Sequence, residues 1–302
     1  MRQDWTGVGT ALVTPFTRTG AVDEPAVRRL ARRQIDDGVH FLVPCGTTGE
    51  SPTLSADEHS RVVALVVEES AGRVPVLAGA GGYDTREVIH TAEKMKRLGA
   101  AGILSVTPYY NKPTQEGLFQ HYSAIAGEVG LPVIVYNVPG RTGCNVEVAT
   151  LARLSQVPNI AGVKEASGNV SQMCEICRAV PDNFVVLSGD DALTLPLMAI
   201  GGHGIISVIG NEAPREMTRM VELAESGDFA GARAIHRQLM PLMSANFVES
   251  NPIPVKAAMA AMGLLEETYR LPMVPPSDAS RRRIVEALAA ARISEMAGAT
   301  SR

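Results

Sequence analysis

A chain of 302 residues, 45% of them apolar, is long enough for two small domains or for one α/β barrel of about 250 residues, and it needs no disulfide staples. Lysine and arginine total 28 against 32 acidic residues, a net charge of -4, and no basic block exceeds Arg281 to Arg283. A nucleic-acid binder is therefore disfavoured, because neutralising phosphates requires a concentrated positive face. The segment Met1 to Thr10 is polar, and nowhere do about 18 uncharged apolar residues run together, so neither export nor a membrane span is expected. Four cysteines (Cys45, Cys144, Cys174, Cys177) do not make a disulfide framework in so long a chain and fit a reducing, cytoplasmic compartment.

Short runs rich in β-branched residues alternate with helix-length segments, the pattern of parallel βαβ units. The predicted strands are Gly7 to Val13, Val39 to Val43, Pro75 to Gly79, Ala101 to Val106, Pro132 to Val138, Ile160 to Lys164, Phe184 to Ser188 and Gly204 to Ile209. They read as continuous apolar runs, as strands buried on both faces do. Between them lie predicted helices: Asp23 to Asp36, Ser55 to Ser70, Asp84 to Leu98, Thr114 to Glu128, Asn145 to Leu154, Asn169 to Val180, Asp190 to Ile200 and Asn211 to Ser226. Asp23, Ser55, Asp84, Thr114 and Asn169 are placed to cap helix N-termini, and Gly38, Gly72, Gly99 and Gly130 to end helices. Eight strand-helix units in sequence favour a closed (β/α)₈ TIM barrel over an open doubly wound sheet. After Gly227 the strands stop. Phe229 to Val248, Val255 to Met262 and Ser277 to Ile293 read as helices, and Ser294 to Arg302 as a frayed tail. The expected organisation is a catalytic barrel over 1–226 and a C-terminal helical domain over 227–302.

Reacting groups in a barrel sit at the C-terminal ends of strands. Strand two delivers Gly46-Thr47-Thr48-Gly49-Glu50-Ser51, strand four Thr107 to Asn111, strand five Tyr136 to Gly143, strand six Lys164 to Ser167, and strand seven Ser188 to Asp191. The chain has only five lysines. Lys94 and Lys96 lie on a charged helical face, Lys112 in a loop, and Lys256 after Pro254 at a helix start, where a surface lysine is expected. Lys164 alone ends an apolar strand. Burial there favours the neutral amine, the nucleophile that forms a Schiff base with a carbonyl substrate, while the alternative is a structural pair with a carboxylate such as Glu165. Tyr136 ends the adjacent strand, and a phenol with a threonine hydroxyl can relay the protons that imine chemistry moves. Arg141 offers a planar fork for a carboxylate, its alternative being a salt bridge that holds the loop. Backbone N–H groups of the turn at Thr47, Thr48 and Gly49 can hold another.

The strings GTTGES, TPYYNKPTQEGL, YNVPGRTG, IAGVKEASGN, LSGDDALTL, GGHGIISV and NPIPVK occur in this order. With them the chain closely resembles the dihydrodipicolinate synthase family of pyruvate-dependent Schiff-base aldolases, over nearly its whole length. The resemblance implies a (β/α)₈ barrel with a C-terminal helical domain, usually a homotetramer. It also implies condensation of pyruvate with L-aspartate 4-semialdehyde at the entry to diaminopimelate and lysine synthesis, with no cofactor beyond the covalent imine. By matching position, Lys164 forms the imine. Tyr136, Thr47 and Tyr110 form the proton relay, Tyr110 reaching in from a neighbouring subunit. Thr48 helps bind the pyruvate carboxylate, Arg141 holds that of the semialdehyde, and Gly189 and Ile206 line the site with backbone groups. In lysine-inhibited members the inhibitor binds through positions matching Ser51, His59, Tyr83, Glu87 and Tyr109. Here Tyr83 stands where an asparagine is expected, and nearby Ala56 replaces a histidine, so lysine should inhibit weakly or not at all.

Other signals are weaker. Cys174 and Cys177 have CxxC spacing without a second pair and read as helix packing. Cys45 reads as an apolar strand-end residue. The glycines after strand three lack the third glycine of a dinucleotide turn, which is Asp84. Asp190 and Asp191 read as helix caps, and the six histidines show no ligand spacing, so no metal is expected. The rival readings are a related lyase acting on N-acetylneuraminate or a 2-keto-3-deoxy sugar acid, and a non-catalytic barrel serving as sensor or scaffold. Arg141 in its RTG string with Tyr109 and Tyr110 favours the synthase pattern over the first. The intact lysine, tyrosine and threonine set disfavours the second.

Overall fold

The computed structural model describes residues 5–293, so the tail expected at Ser294 to Arg302 lies outside the described residues. Strands β1 (Gly7–Ala11), β2 (Phe41–Val43), β3 (Leu77–Gly79) and β4 (Gly102–Val106) alternate with helices α1 (Glu24–Asp36), α2 (Ala56–Ser70), α3 (Thr85–Arg97) and α4 (Gln115–Val129). The second half continues with β5 (Val133–Asn137), a single helical turn α5 (Pro139–Thr142), α6 (Val148–Leu154), β6 (Ile160–Glu165), α7 (Val170–Ala179), β7 (Val185–Ser188), α8 (Thr194–Ala199), β8 (Gly204–Ser207) and α9 (Pro214–Glu225). All strand pairs are parallel, in the order β2-β1-β8-β7-β6-β5-β4-β3. A parallel bridge between Leu42 and Val76 joins the two ends, giving a closed (β/α)₈ barrel.

The start and stop signals act as the sequence predicts. Asp23, Ser55, Asp84, Thr114 and Asn169 each accept a backbone N–H of the first helical turn, and Ser55 forms a full capping box with Glu58. Gly38, Gly99 and Gly130 follow their helices at φ of 87°, 91° and 63°, a left-handed stop costly to a side chain with a Cβ, whereas at the expected stop Gly72 the left-handed cap is Ala71 at 48°, with Gly72 next at 75°. Several boundaries shift by one to three residues: the helix expected from Asn145 begins at Val148, and the strands expected from Val39 and Pro75 begin at Phe41 and Leu77. Short 3₁₀ turns also intervene: Asp191–Leu193 precedes α8 where a continuous helix is expected from Asp190, and Ile209–Asn211 precedes α9 where a strand is expected to reach Ile209 and a helix to start at Asn211. The turn α5 is too short to leave a periodic signal.

Barrel and helices pack in two layers. Inside the barrel, Phe41, Leu77, Ile134, Leu187 and Ile206 form one apolar cluster with Tyr136. Trp5 closes it, meeting Phe41 edge-on at 5.5 Å. Gly9 is required there, since a Cβ would stand 2.0 Å from the Phe41 ring. Outside, the opposite strand faces bury a larger core under the helices, each fully buried aliphatic side chain contributing roughly 1.5–3 kcal/mol.

Beyond Gly227 come α10 (Phe229–Ala245), α11 (Ile253–Ala261) and α12 (Asp278–Ala291). Leu239 and Leu242 of α10 and Ile284 and Leu288 of α12 belong to the same core as the barrel helices. Val255 and Met259 of α11 pack with Val13 and Val208, just past the ends of β1 and β8, so this segment lies against the barrel's C-terminal rim.

Candidate active site

Lys164 and Tyr136 are register partners across β6 and β5, and both point into the barrel, where they are 4% and 7% exposed. The Lys164 ammonium nitrogen lies 4.2 Å from the centre of the Tyr136 ring. The competing pairing with Glu165 does not form, because consecutive strand residues face opposite ways. Glu165 turns outward, where it accepts Asn137 Nδ2 at 2.9 Å, Gln172 Nε2 at 3.4 Å and the Ser167 N–H at 2.8 Å. Among the described residues the lysine ion pairs are those of Lys94 and Lys256, so Lys164 is buried without a carboxylate partner. Gly189, just past β7, gives its stem room: a Cβ there would meet Lys164 Cε at 3.1 Å and Ala166 Cβ at 2.6 Å. Ile206 on β8 completes this inner layer, fully buried.

The GTTGES string is a tight double turn, with Gly49 N–H on Gly46 O and Glu50 N–H on Thr47 O, both at 3.1 Å. Cys45 and Glu50 take left-handed φ of 57° and 54° at its two ends. The Thr47 and Thr48 N–H groups have no backbone acceptor among the described residues, leaving them for an anion. Thr47 faces a cavity of about 170 Å³ that it shares with Tyr136, Tyr109, Ser51 and His59. An adjoining cavity of about 300 Å³ runs outward between Thr47, Val138, Arg141, Asn251 and Met273. Arg141 is carried there by α5 and donates to the Asn251 carbonyl at 3.2 Å. It pairs with a backbone oxygen, which leaves its charge uncompensated by any carboxylate among the described residues.

Lys164, Tyr136, Thr47, Thr48, Gly189 and Ile206 thus gather at the strand ends, with Arg141 at the mouth. Tyr110 does not join them within one chain. It is 94% exposed at a left-handed φ of 72° and borders a shallow hollow with Tyr109, Lys112 and Arg141. Of the residues matched to a regulatory site, Ser51, His59 and Tyr109 line the first cavity, and Tyr83 and Glu87 a neighbouring hollow of about 210 Å³. Tyr83 and Tyr109 stack edge-on at 5.3 Å, and burial lowers the His59 pKa as its Nε2 meets Gly79 O at 2.9 Å.

Two expectations are corrected. Lys256 is not a surface lysine: it is fully buried, its ammonium 2.6 Å from Glu50 and 4.3 Å from the centre of the Phe16 ring. Burial lowers its pKa, and Glu50 opposes the shift. Asp190 does cap its 3₁₀ turn through Ala192 N–H, but Asp191 is buried and accepts Ser207 Oγ at 2.6 Å and the Val208 and Ile209 N–H groups. It fastens the loop after β8 rather than capping its own turn, and burial raises its pKa to about 6. Sequence reading missed Asn251 as well, whose Nδ2 donates to Thr48 Oγ1 at 3.0 Å. Burial raises the Cys45 pKa, as expected of an apolar strand-end thiol, and Cys174 is exposed. Among the described residues no cluster of three His, Cys, Asp or Glu side chains could hold a metal, and no helix is long and apolar enough to cross a membrane.

A closed barrel with an unpaired lysine at the end of strand six, facing a tyrosine on strand five, defines an aldolase-type lyase. The sequence pattern described as Dihydrodipicolinate synthetase family matches residues 4–291. A 4-hydroxy-tetrahydrodipicolinate synthase from Koribacter versatilis is 52% identical over 95% of this chain and 96% of its own. The chloride-inhibited dihydrodipicolinate synthase from Acinetobacter baumannii, solved in complex with pyruvate, superposes with a TM-score of 0.94 at 42% identity, over 96% of this chain and 100% of that one. The enzyme from Cyanidioschyzon merolae with lysine bound gives 0.93 at 41% identity, over 96% and 99%. The chain belongs to the Dihydrodipicolinate synthetase family. It is a lyase of the class I aldolase type, acting in diaminopimelate and lysine biosynthesis.

Proposed function

We propose that the chain condenses pyruvate with L-aspartate 4-semialdehyde to 4-hydroxy-tetrahydrodipicolinate through an imine on Lys164. The observation that carries this reading is the pairing of Lys164 with Tyr136 inside the barrel, with no carboxylate to hold the amine as a structural cation. The Lys164 amine adds to the pyruvate ketone and water leaves. Loss of a methyl proton gives an enamine, whose carbon attacks the semialdehyde's aldehyde and forms the C–C bond. The semialdehyde's own amine then displaces lysine from the imine, closing the ring and freeing the enzyme. Each step moves a proton, which Tyr136 and Thr47 relay, a contribution of roughly 10²- to 10⁴-fold; that both line the same cavity supports this role. Thr48 and the N–H groups of its turn hold the pyruvate carboxylate, Gly189 and Ile206 line its pocket, and Arg141 receives the second substrate's carboxylate at the mouth. The exposed Tyr110 completes the relay of a neighbouring subunit in a homotetramer. The reaction needs no organic cofactor or metal, and its setting is the cytoplasm. The hollow at Tyr83 and Glu87, with Ser51, His59 and Tyr109, is the counterpart of the family's lysine site, and the bulkier Tyr83 weakens it.

Incubation with both substrates, and separately with N-acetylneuraminate, tests the assignment. The expected result is rapid formation of the cyclic product and negligible sugar-acid cleavage. Comparable cleavage of N-acetylneuraminate would overturn it in favour of the sugar-acid lyases.

A further inference from the structure

Asn251 lies 203 residues from Thr48, on the segment that leads into α11, yet its buried side chain reaches the catalytic turn. Its Nδ2 donates to Thr48 Oγ1 at 3.0 Å, its backbone carbonyl accepts Arg141 Nη2 at 3.2 Å, and it lines the outer cavity beside Thr47 and Arg141. On the reading proposed above, on which this inference rests, Thr48 and Arg141 hold the carboxylates of the two substrates. One residue therefore contacts both.

A hydroxyl has one proton to give and two lone pairs to receive with. When an amide N–H occupies one lone pair, the hydroxyl proton is left for another acceptor, and Thr48 finds none among the described residues. We propose that Asn251 is a positioning residue: its side chain fixes Thr48 as a hydrogen-bond donor toward the pyruvate carboxylate, while its backbone carbonyl, which side-chain variants keep, holds the Arg141 fork at the entrance.

The segment is secured on both sides. Val255 and Met259 pack against Val13 and Val208, and Lys256 pairs with Glu50, two residues beyond Thr48 in the same turn. A donor held this firmly loses little entropy when the substrate arrives, which is the advantage of a preorganised site. A bond that served the fold alone would register in stability and leave half-saturating pyruvate unchanged.

The test is a double-mutant cycle read by borohydride trapping of pyruvate on Lys164 across a pyruvate titration. Asn251→Ala should raise half-saturating pyruvate about tenfold or more while leaving the maximal labelled fraction unchanged. Thr48→Val should raise it by at least as much, and the double variant no further than Thr48→Val alone, because Asn251 acts through that hydroxyl. If Asn251→Ala does not accumulate folded, Asn251→Asp, which keeps the volume and accepts where the amide donates, enters the same cycle. Unchanged half-saturation in the Asn251 variant, or fold-changes that multiply in the double variant, would overturn the inference. Failure of the wild-type chain to trap pyruvate on Lys164 would instead overturn the proposed function beneath it.

Discussion

Two lysines are withdrawn from water in this barrel, and the rest of the molecule treats them oppositely. Lys256 meets Glu50 at 2.6 Å between the rings of Phe16 and Tyr269, a cation answered by a carboxylate and two ring faces, with the Arg270 guanidinium on the same Phe16 ring opposing it. Lys164 has the Tyr136 ring beside it and no carboxylate among its partners, while its sequence neighbour Glu165 spends its own charge on amide donors outside the barrel. Burial alone does not make an amine a nucleophile. What separates the two is the strand alternation that turns Glu165 away from one and the loop geometry that brings Glu50 to the other.

The largest expected effect of breaking this contrast is chemical. Lys164→Met keeps the length of the stem and removes the nitrogen, so turnover should fall by roughly 10⁴-fold or more while the melting temperature holds or rises. Turnover within tenfold of wild type would place the nucleophile elsewhere. Lys256→Met should do the reverse. It strands the Glu50 carboxylate in the interior and should cost about 3–5 kcal/mol of stability, while the folded fraction still labels at Lys164. Adding Glu50→Gln should restore much of the loss, and a single variant as stable as wild type would mean that the pair contributes nothing to the fold.

Helix caps, helix stops and the order of strands were legible because each depends on residues close in the chain. The Lys164 and Tyr136 pair was legible too, since an apolar run ending in one polar residue marks a strand end. The contacts of Lys256 and Asn251 were not, although both residues belong to the NPIPVK string, because their partners Glu50 and Thr48 lie 206 and 203 residues away. Pro254 just before Lys256 signals a helix start, and it says nothing about which face the lysine occupies. The same reason hides Asp191, whose neighbours suggest a cap while its acceptors serve donors 16 to 18 residues on.

Smaller effects sharpen the picture away from the site. His121 is buried against Tyr122 and bonded to Thr85, and burial lowers its pKa to about 4, below the usual value of about 6.5. The unfolded chain therefore binds this proton first, and stability should fall as pH drops from about 6.5 toward 4. His121→Gln should flatten that part of a stability-against-pH curve, and an unchanged slope would assign the acid sensitivity to other groups. The smallest effect concerns regulation. With Tyr83 in place of an amide and stacked on Tyr109, the site should lose a hydrogen bond to a charged ligand, about 10- to 150-fold in affinity. Half-inhibition by L-lysine is accordingly expected at millimolar concentrations or above, and a value well below that would mean the phenol is accommodated.

The contrast between the two buried lysines is tested most directly by reduction with borohydride in the presence of pyruvate, followed by mapping of the labelled peptide. The account predicts a single pyruvate adduct on Lys164 and none on Lys256. A label on Lys256, or an unlabelled Lys164 in folded enzyme, would contradict it.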